Sequence, residues 1–295
     1  MFRLWPKKRG TPLVVVHGGP GFPSMPEVVS DLSNNRPVYL YYQLGSGLSD
    51  QAKDINLYSA NNYINELEEV IHLLKLNTYV LLGFSWGGGL VTTFALNKRP
   101  KGLKGLILSG PLLSAPLWVI DQRKNISALP RNVVKTIEEC EKNNDYGKAY
   151  QEAMMAYYRL YIYREDSWPA FLLAALEKLN PDVYLTMWGP SEFTVTGNLR
   201  TFDLFPRLHE IDVPVLLTCG QYDEVRVETI HLFEEAFKNA IVKVLPEAAH
   251  MHQIEQPDLY KDIVIDFLHD KYLNVSTNKY VHIDDGFLIC VLISG

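Results

Sequence analysis

At 295 residues, with 47% hydrophobic and 21% charged side chains, the chain has enough apolar surface to bury a sheet and is too apolar to stay disordered. Its length suits one α/β core that carries an insertion. A formal net charge of −6 gives no basic stripe for a phosphate backbone, and no run of about 18 or more apolar residues offers a membrane span, so neither nucleic acid nor bilayer is expected as a partner.

The first residues carry Lys7, Lys8 and Arg9 without the apolar run of a secretion signal. Cys140, Cys219 and Cys290 sit in neither a disulfide nor a metal-ligand spacing, which fits a reducing cytoplasm. Short β-rich apolar runs at Leu13–Val16, 38–42, 79–82, Leu103–Ser109, 215–218 and 242–245 alternate with amphipathic segments. That rhythm predicts a mostly parallel sheet with helices on both faces. The first run leads into His17-Gly18-Gly19-Pro20-Gly21, where glycines let the backbone approach a substrate carbonyl. Gly19 is the candidate oxyanion donor there, and His17 reads as a hydrogen-bonded structural residue. Between residues 61 and 76, Ile64, Leu67, Val70, Ile71 and Leu74 recur every three or four positions, the stripe of a core-facing helix.

The run at 79–82 passes into Gly83-Phe84-Ser85-Trp86-Gly87 and then into a helical pattern through Leu90, Val91, Phe94 and Leu96. A GxSxG turn between strand and helix is a nucleophile elbow: it exposes the Ser85 hydroxyl and aims the helix amino terminus, with the Trp86 amide as second oxyanion donor, at the reaction centre. Residues 115–203 break the rhythm, being rich in aromatics at helical spacing without a clear buried strand. They read as a helical cap between two parts of the core, 1–114 and 204–273. Of Tyr157, Tyr158, Tyr161, Tyr163, Trp168 and Trp188, most should be core and a subset should face a ligand.

A nucleophilic serine needs a base, and the base an orienting acid, in the chain order Ser, Asp, His for the α/β-hydrolase fold. The run at 215–218 ends towards Asp223 and that at 242–245 towards His250, placing both at strand ends. His252 competes with His250 but comes second after the small-residue turn. Asp212 precedes its strand and so lies at the wrong edge. Ser85, Asp223 and His250 are therefore the expected triad.

These residues resemble the prolyl aminopeptidases, or proline iminopeptidases, a family that includes the archaeal tricorn-interacting aminopeptidase. The likeness runs from Pro12 to about Leu273. It rests on the segments just quoted, with Gln43-Leu44-Gly45-Ser46-Gly47-Leu48-Ser49, Gly189-Pro190-Ser191-Glu192-Phe193-Thr194 and Gly220-Gln221-Tyr222-Asp223-Glu224. The resemblance implies that Glu192 and Glu224 hold the free amino terminus of a short peptide, and that neither metal nor organic cofactor is needed. Tyr42 departs from the pattern, standing where the family usually has Asp. The expected reaction is release of an amino-terminal residue, preferably proline or a small apolar one, through an acyl-enzyme. The rivals are an esterase, lactonase or amidase with the same triad, which would gain nothing from two desolvated acids, and a noncatalytic module, against which the intact triad stands.

Residues 279–295 read as strand, Asp284-Asp285-Gly286 turn and strand. Family members open with such a hairpin, and Met1 leaves little room for one before Leu13. Segment 274–295 is therefore expected to be a permuted edge hairpin, with 287–294 antiparallel to Leu13–Val16.

Overall fold

The apolar runs form strands and the amphipathic segments form helices in a computed structural model that describes the backbone of residues 2–4 and all of residues 10–34 and 36–269. In chain order these are β1 (Phe2–Leu4), β2 (Leu13–Val16), β3 (Val38–Leu40), α1 (Ala60–Leu73), β4 (Tyr79–Phe84), α2 (Trp86–Lys98) and β5 (Leu103–Ser109). Helices α3 (Ala115–Ser127), α4 (Arg131–Asn143), α5 (Lys148–Tyr161), α6 (Ala170–Glu177) and α7 (Pro181–Met187) follow. The chain then returns to the sheet with β6 (Val215–Gly220), α8 (Val227–Ala236), β7 (Ala240–Leu245), α9 (His252–Glu255) and α10 (Pro257–His269). The strand order is β1-β3-β2-β4-β5-β6-β7, with β2 to β7 parallel and β1 antiparallel at the edge. This is an α/β-hydrolase fold.

Side chains alternate across the strands, so each buried strand feeds two cores. Val14, Val16, Leu81, Leu106, Leu108, Val215 and Leu217 pack towards α1, α2 and α8. Leu13, Val15, Val80, Leu82, Ile107 and Leu216 pack towards Tyr260, Val264, Phe267 and Leu268 of α10. Ile64, Leu67, Val70 and Ile71 of the stripe read on 61–76 are buried in α1, but the helix ends at Leu73 and leaves Leu74 half-buried beyond it. Lys75 takes a left-handed φ of 51°, which no helix continues.

The expected hairpin pairing is corrected at its acceptor. Leu13–Val16 is flanked by β3 on one side and β4 on the other, leaving no open edge there. An antiparallel edge strand is supplied by Phe2–Leu4 against Val38–Leu40. Residues 279–295 themselves lie outside the described residues.

Below the loop after β3, both Glu66 carboxyl oxygens accept from the Leu44 N–H, at 3.1 and 3.2 Å. Burial pushes the Glu66 pKa up to about 8 from the usual 4.5, with the Leu44 bond pulling the other way. The folded protein thus keeps a proton that the unfolded chain has released. The stability due to that proton is present below the unfolded pKa and is lost as pH rises through the folded one. The melting temperature of Glu66→Gln should fall less between about pH 5 and pH 8 than that of the unmodified protein. Parallel melting curves across that range would show that Glu66 does not titrate there.

Candidate active site

Ser85 holds φ 50° and ψ −117°, a conformation that a non-glycine residue keeps only when its surroundings impose it. Here its N–H donates to Ser109 O at 2.9 Å, and its carbonyl accepts from Gly88 N–H at 2.9 Å and Leu112 N–H at 3.1 Å. Side-chain-free neighbours make the elbow possible: a Cβ on Gly87 would stand 2.3 Å from Val16 O. The His17-Gly18-Gly19 loop runs beside the serine, since a Cβ on Gly18 would lie 3.3 Å from Ser85 Cβ. Among the described residues neither the Gly19 nor the Trp86 N–H donates to a backbone carbonyl outside the helices and strands, as the role expected of the two amides requires.

Gln43, fully buried, ties the His17 loop to the Trp86 side chain at the elbow. Its side-chain amide donates to His17 O at 3.0 Å, while its side-chain oxygen accepts from the Trp86 indole N–H at 3.0 Å. Its backbone N–H donates to His17 Nε2 at 3.0 Å, which leaves Nδ1 to donate to Gly18 O at 2.9 Å. Burial lowers the His17 pKa to about 4, so this ring is a neutral structural bridge. Support for the His17-Gly18-Gly19 loop therefore comes from Gln43, the neighbour of the departing Tyr42.

Asp223 follows β6 and His250 follows β7, both at the carboxyl edge of the sheet. His250 Nδ1 lies 2.7 Å from Asp223 Oδ1. Asp223 also accepts from Gly220 N–H and Val225 N–H, each at 3.2 Å. Burial alone would raise its pKa, but the charge and hydrogen bond of His250, with His252 behind, hold the carboxyl below the ordinary range. Burial pulls His250 down while the Asp223 charge and bond pull it up, and the net direction is up. Gly110 makes room for the ring: a Cβ there would stand 2.8 Å from His250 Cε1. The histidine loop is anchored to the end of α5, with His250 N–H donating to Tyr161 O at 3.0 Å and Met251 N–H to Ile162 O at 2.8 Å. Asp212, at the far edge, pairs with Lys238 at 2.6 Å.

A cavity of about 420 Å³ opens over these groups, lined by Gly19, Ser85, Glu192, Glu224 and His250. Asp223 lies behind His250, and the Trp86 indole is buried under Ser85 against Phe202 and Tyr63. Glu192 accepts from the Tyr184 hydroxyl at 2.5 Å. Glu224 Oε1 is 3.5 Å from His250 Nε2, and its Oε2 is buried without a partner. The Glu224 carbonyl is fixed from α3 by Gln122 and Asn125 amides, both at 3.1 Å. Burial raises both carboxyls, Glu224 the more because Glu192 and Asp223 face it. Of the six aromatics singled out, Tyr158 lines the cavity. Tyr157 packs instead on Phe193 and bonds Gln122, and Trp188 packs on Trp118.

The family profile described as alpha/beta hydrolase fold matches residues 11–257. A proline iminopeptidase of Heyndrickxia coagulans is 39% identical over 88% of this chain and 91% of its own length. The chain belongs to the proline iminopeptidase family of α/β-hydrolases. A proline iminopeptidase of Saccharolobus solfataricus is 34% identical over 88% of this chain and 85% of its own. The crystal structure of proline iminopeptidase from Mycobacterium smegmatis superposes with a TM-score of 0.84 at 27% identity, covering 91% of this chain and 93% of that one. Like other proline iminopeptidase family members the chain is a hydrolase, a serine aminopeptidase. Among the described residues no helix is long and apolar enough to cross a membrane.

Proposed function

We propose that this chain removes the amino-terminal residue, preferably proline or a small apolar one, from short peptides by way of an acyl-enzyme, in the cytoplasm. Ser85 Oγ attacks the carbonyl carbon as His250 takes its proton, and the amides of Gly19 and Trp86 take the negative charge that develops on the carbonyl oxygen. His250 then returns the proton to the departing amine. Water clears the ester by the same route. Asp223 holds the imidazole so that Nδ1 keeps its hydrogen and Nε2 is free to accept.

The observation that carries the reading is the pair of acids, Glu192 and Glu224, in the same cavity as Ser85 and His250. Two carboxyls in a largely apolar space repel each other and lack solvation, and a primary or secondary ammonium relieves both costs at once. Its position fixes how far the scissile carbonyl sits from the amine, which limits cleavage to one residue. Phe22, Met25, Leu176 and Leu179 line the same cavity and give a pyrrolidine ring an apolar seat. In this reading residues 115–203, with α3 to α7, form the cap over the site.

Glu192→Gln and Glu224→Gln should each lower kcat/KM on free-amine amides by roughly 1.5–3 kcal/mol, the range for hydrogen bonds to charged groups. Uncharged ester substrates should lose much less. Equal losses on both would mean that the acids support the structure and do not recognise an amine.

A further inference from the structure

His252 is left over by the triad, yet it is fully buried against the carboxylate that the triad uses. Its Nε2 is 2.9 Å from Thr218 Oγ1, Thr218 Oγ1 is 3.0 Å from Ser109 Oγ, and Ser109 Oγ is 2.7 Å from the Tyr260 hydroxyl. Sheet register sets Ser109 and Thr218 side by side on β5 and β6, and Tyr260 of α10 closes the row with its ring edge-on to His252 at 5.7 Å. The other ring nitrogen, Nδ1, is buried with no hydrogen-bond partner and faces Asp223 Oδ2 at 3.5 Å. His250 holds Oδ1 of the same carboxylate from the opposite side.

We propose that His252 is a positioning residue, whose Nδ1–H engages the far oxygen of Asp223 and fixes the carboxylate for His250. The inference rests on the triad reading. A bare Nδ1 lone pair pointed at a carboxylate oxygen in a site closed to water would be repelled, and a hydrogen on that nitrogen turns the contact into an attraction. Thr218 Oγ1 donates its one hydrogen to Ser109 Oγ, so towards the ring it accepts from Nε2–H, and a ring that also engages Asp223 carries hydrogens on both nitrogens. Asp223 is then held through both oxygens, by His250 and Val225 on Oδ1 and by Gly220 and His252 on Oδ2. His252 opens α9 directly behind the anchored 250–251 loop, so the two histidines and the carboxylate form one unit.

Two replacements separate the two sides of the ring. The amide nitrogen of asparagine lies near the place of Nδ1, and that of glutamine near Nε2. His252→Gln should lower kcat about tenfold or more, the loss of one hydrogen bond to a charged group, and should move the acid limb of the kcat/KM profile to higher pH. A carboxylate that has lost a donor holds the His250 proton more tightly, hence the upward direction. His252→Asn should keep both close to the unmodified enzyme. In Asp223→Asn, adding His252→Gln should cost nothing further. The inference is overturned by an unmoved acid limb in His252→Gln, or by glutamine restoring what asparagine loses, which would assign the role to the Thr218 side. A measurement on the unmodified protein needs no variant: nitrogen-15 spectra should show His252 Nδ1 protonated, and a bare Nδ1 overturns the proposal. If Asp223→Asn itself keeps full turnover, it is the triad reading that fails.

Discussion

Ser85→Ala should lower turnover by roughly four to six orders of magnitude while leaving the melting temperature almost unchanged. The covalent step has no other hydroxyl at the elbow. The backbone of residue 85 is meanwhile held by bonds that alanine retains, from its N–H to Ser109 O and from Gly88 and Leu112 to its carbonyl. A fluorophosphonate should label the unmodified protein at Ser85 and the variant nowhere. Turnover within tenfold of the unmodified enzyme, or labelling elsewhere, would move the nucleophile.

Asp223→Asn should cost about four orders of magnitude in kcat with the fold intact, the scale on which a wrong imidazole tautomer acts. Both carboxyl oxygens accept: Oδ1 from His250 and Val225, Oδ2 from Gly220. An amide group must turn its NH2 towards one of these donors. Turned towards Gly220 it meets a backbone N–H. Turned towards His250 it forces the ring hydrogen onto Nε2, where the serine proton has to go. Raising the pH cannot repair a tautomer, so kcat of the variant should stay low up to pH 9, in steady-state assays on an amino-terminal amide. A loss that disappears at alkaline pH would mean that Asp223 acts by charge alone.

The parallel sheet and the elbow were legible because each rests on local pattern. Apolar runs in alternation with helical stripes give the layers, and strand, GxSxG and helix give the turn at Ser85. Order in space is another matter. The expectation that a tail strand would join Leu13–Val16 failed because periodicity says that a strand is buried, not which neighbours bury it, and β3 and β4 occupy both its sides. Helix ends were read three residues long at α1 because the left-handed turn at Lys75 has no glycine to announce it.

At the site, the family resemblance implied Glu192 and Glu224, but their surroundings were not readable. Tyr184, which donates to Glu192 from eight residues upstream, stands in the aromatic-rich segment 115–203 with nothing in its spacing to set it apart. Gln43 was visible only as part of a loop motif, although its amide joins the His17 loop to the Trp86 indole across 43 positions of sequence. The Glu255 carboxylate, which accepts from Arg164 N–H and Ala249 N–H at 2.6 Å, joins the histidine loop to the segment after α5 in the same way. Long-range side-chain bridges of this kind carry no period, so only coordinates reveal them.

The account turns on recognition of a free amine beside a serine nucleophile. Its most direct test compares a fluorogenic prolyl amide carrying a free amino group with the same compound acetylated on nitrogen, using the unmodified protein. The free compound should be hydrolysed, and acetylation should lower kcat/KM by about a hundredfold or more, as the loss of a charged partner for two buried acids requires. Equal hydrolysis of the two would contradict an aminopeptidase and leave an esterase or amidase of the same fold.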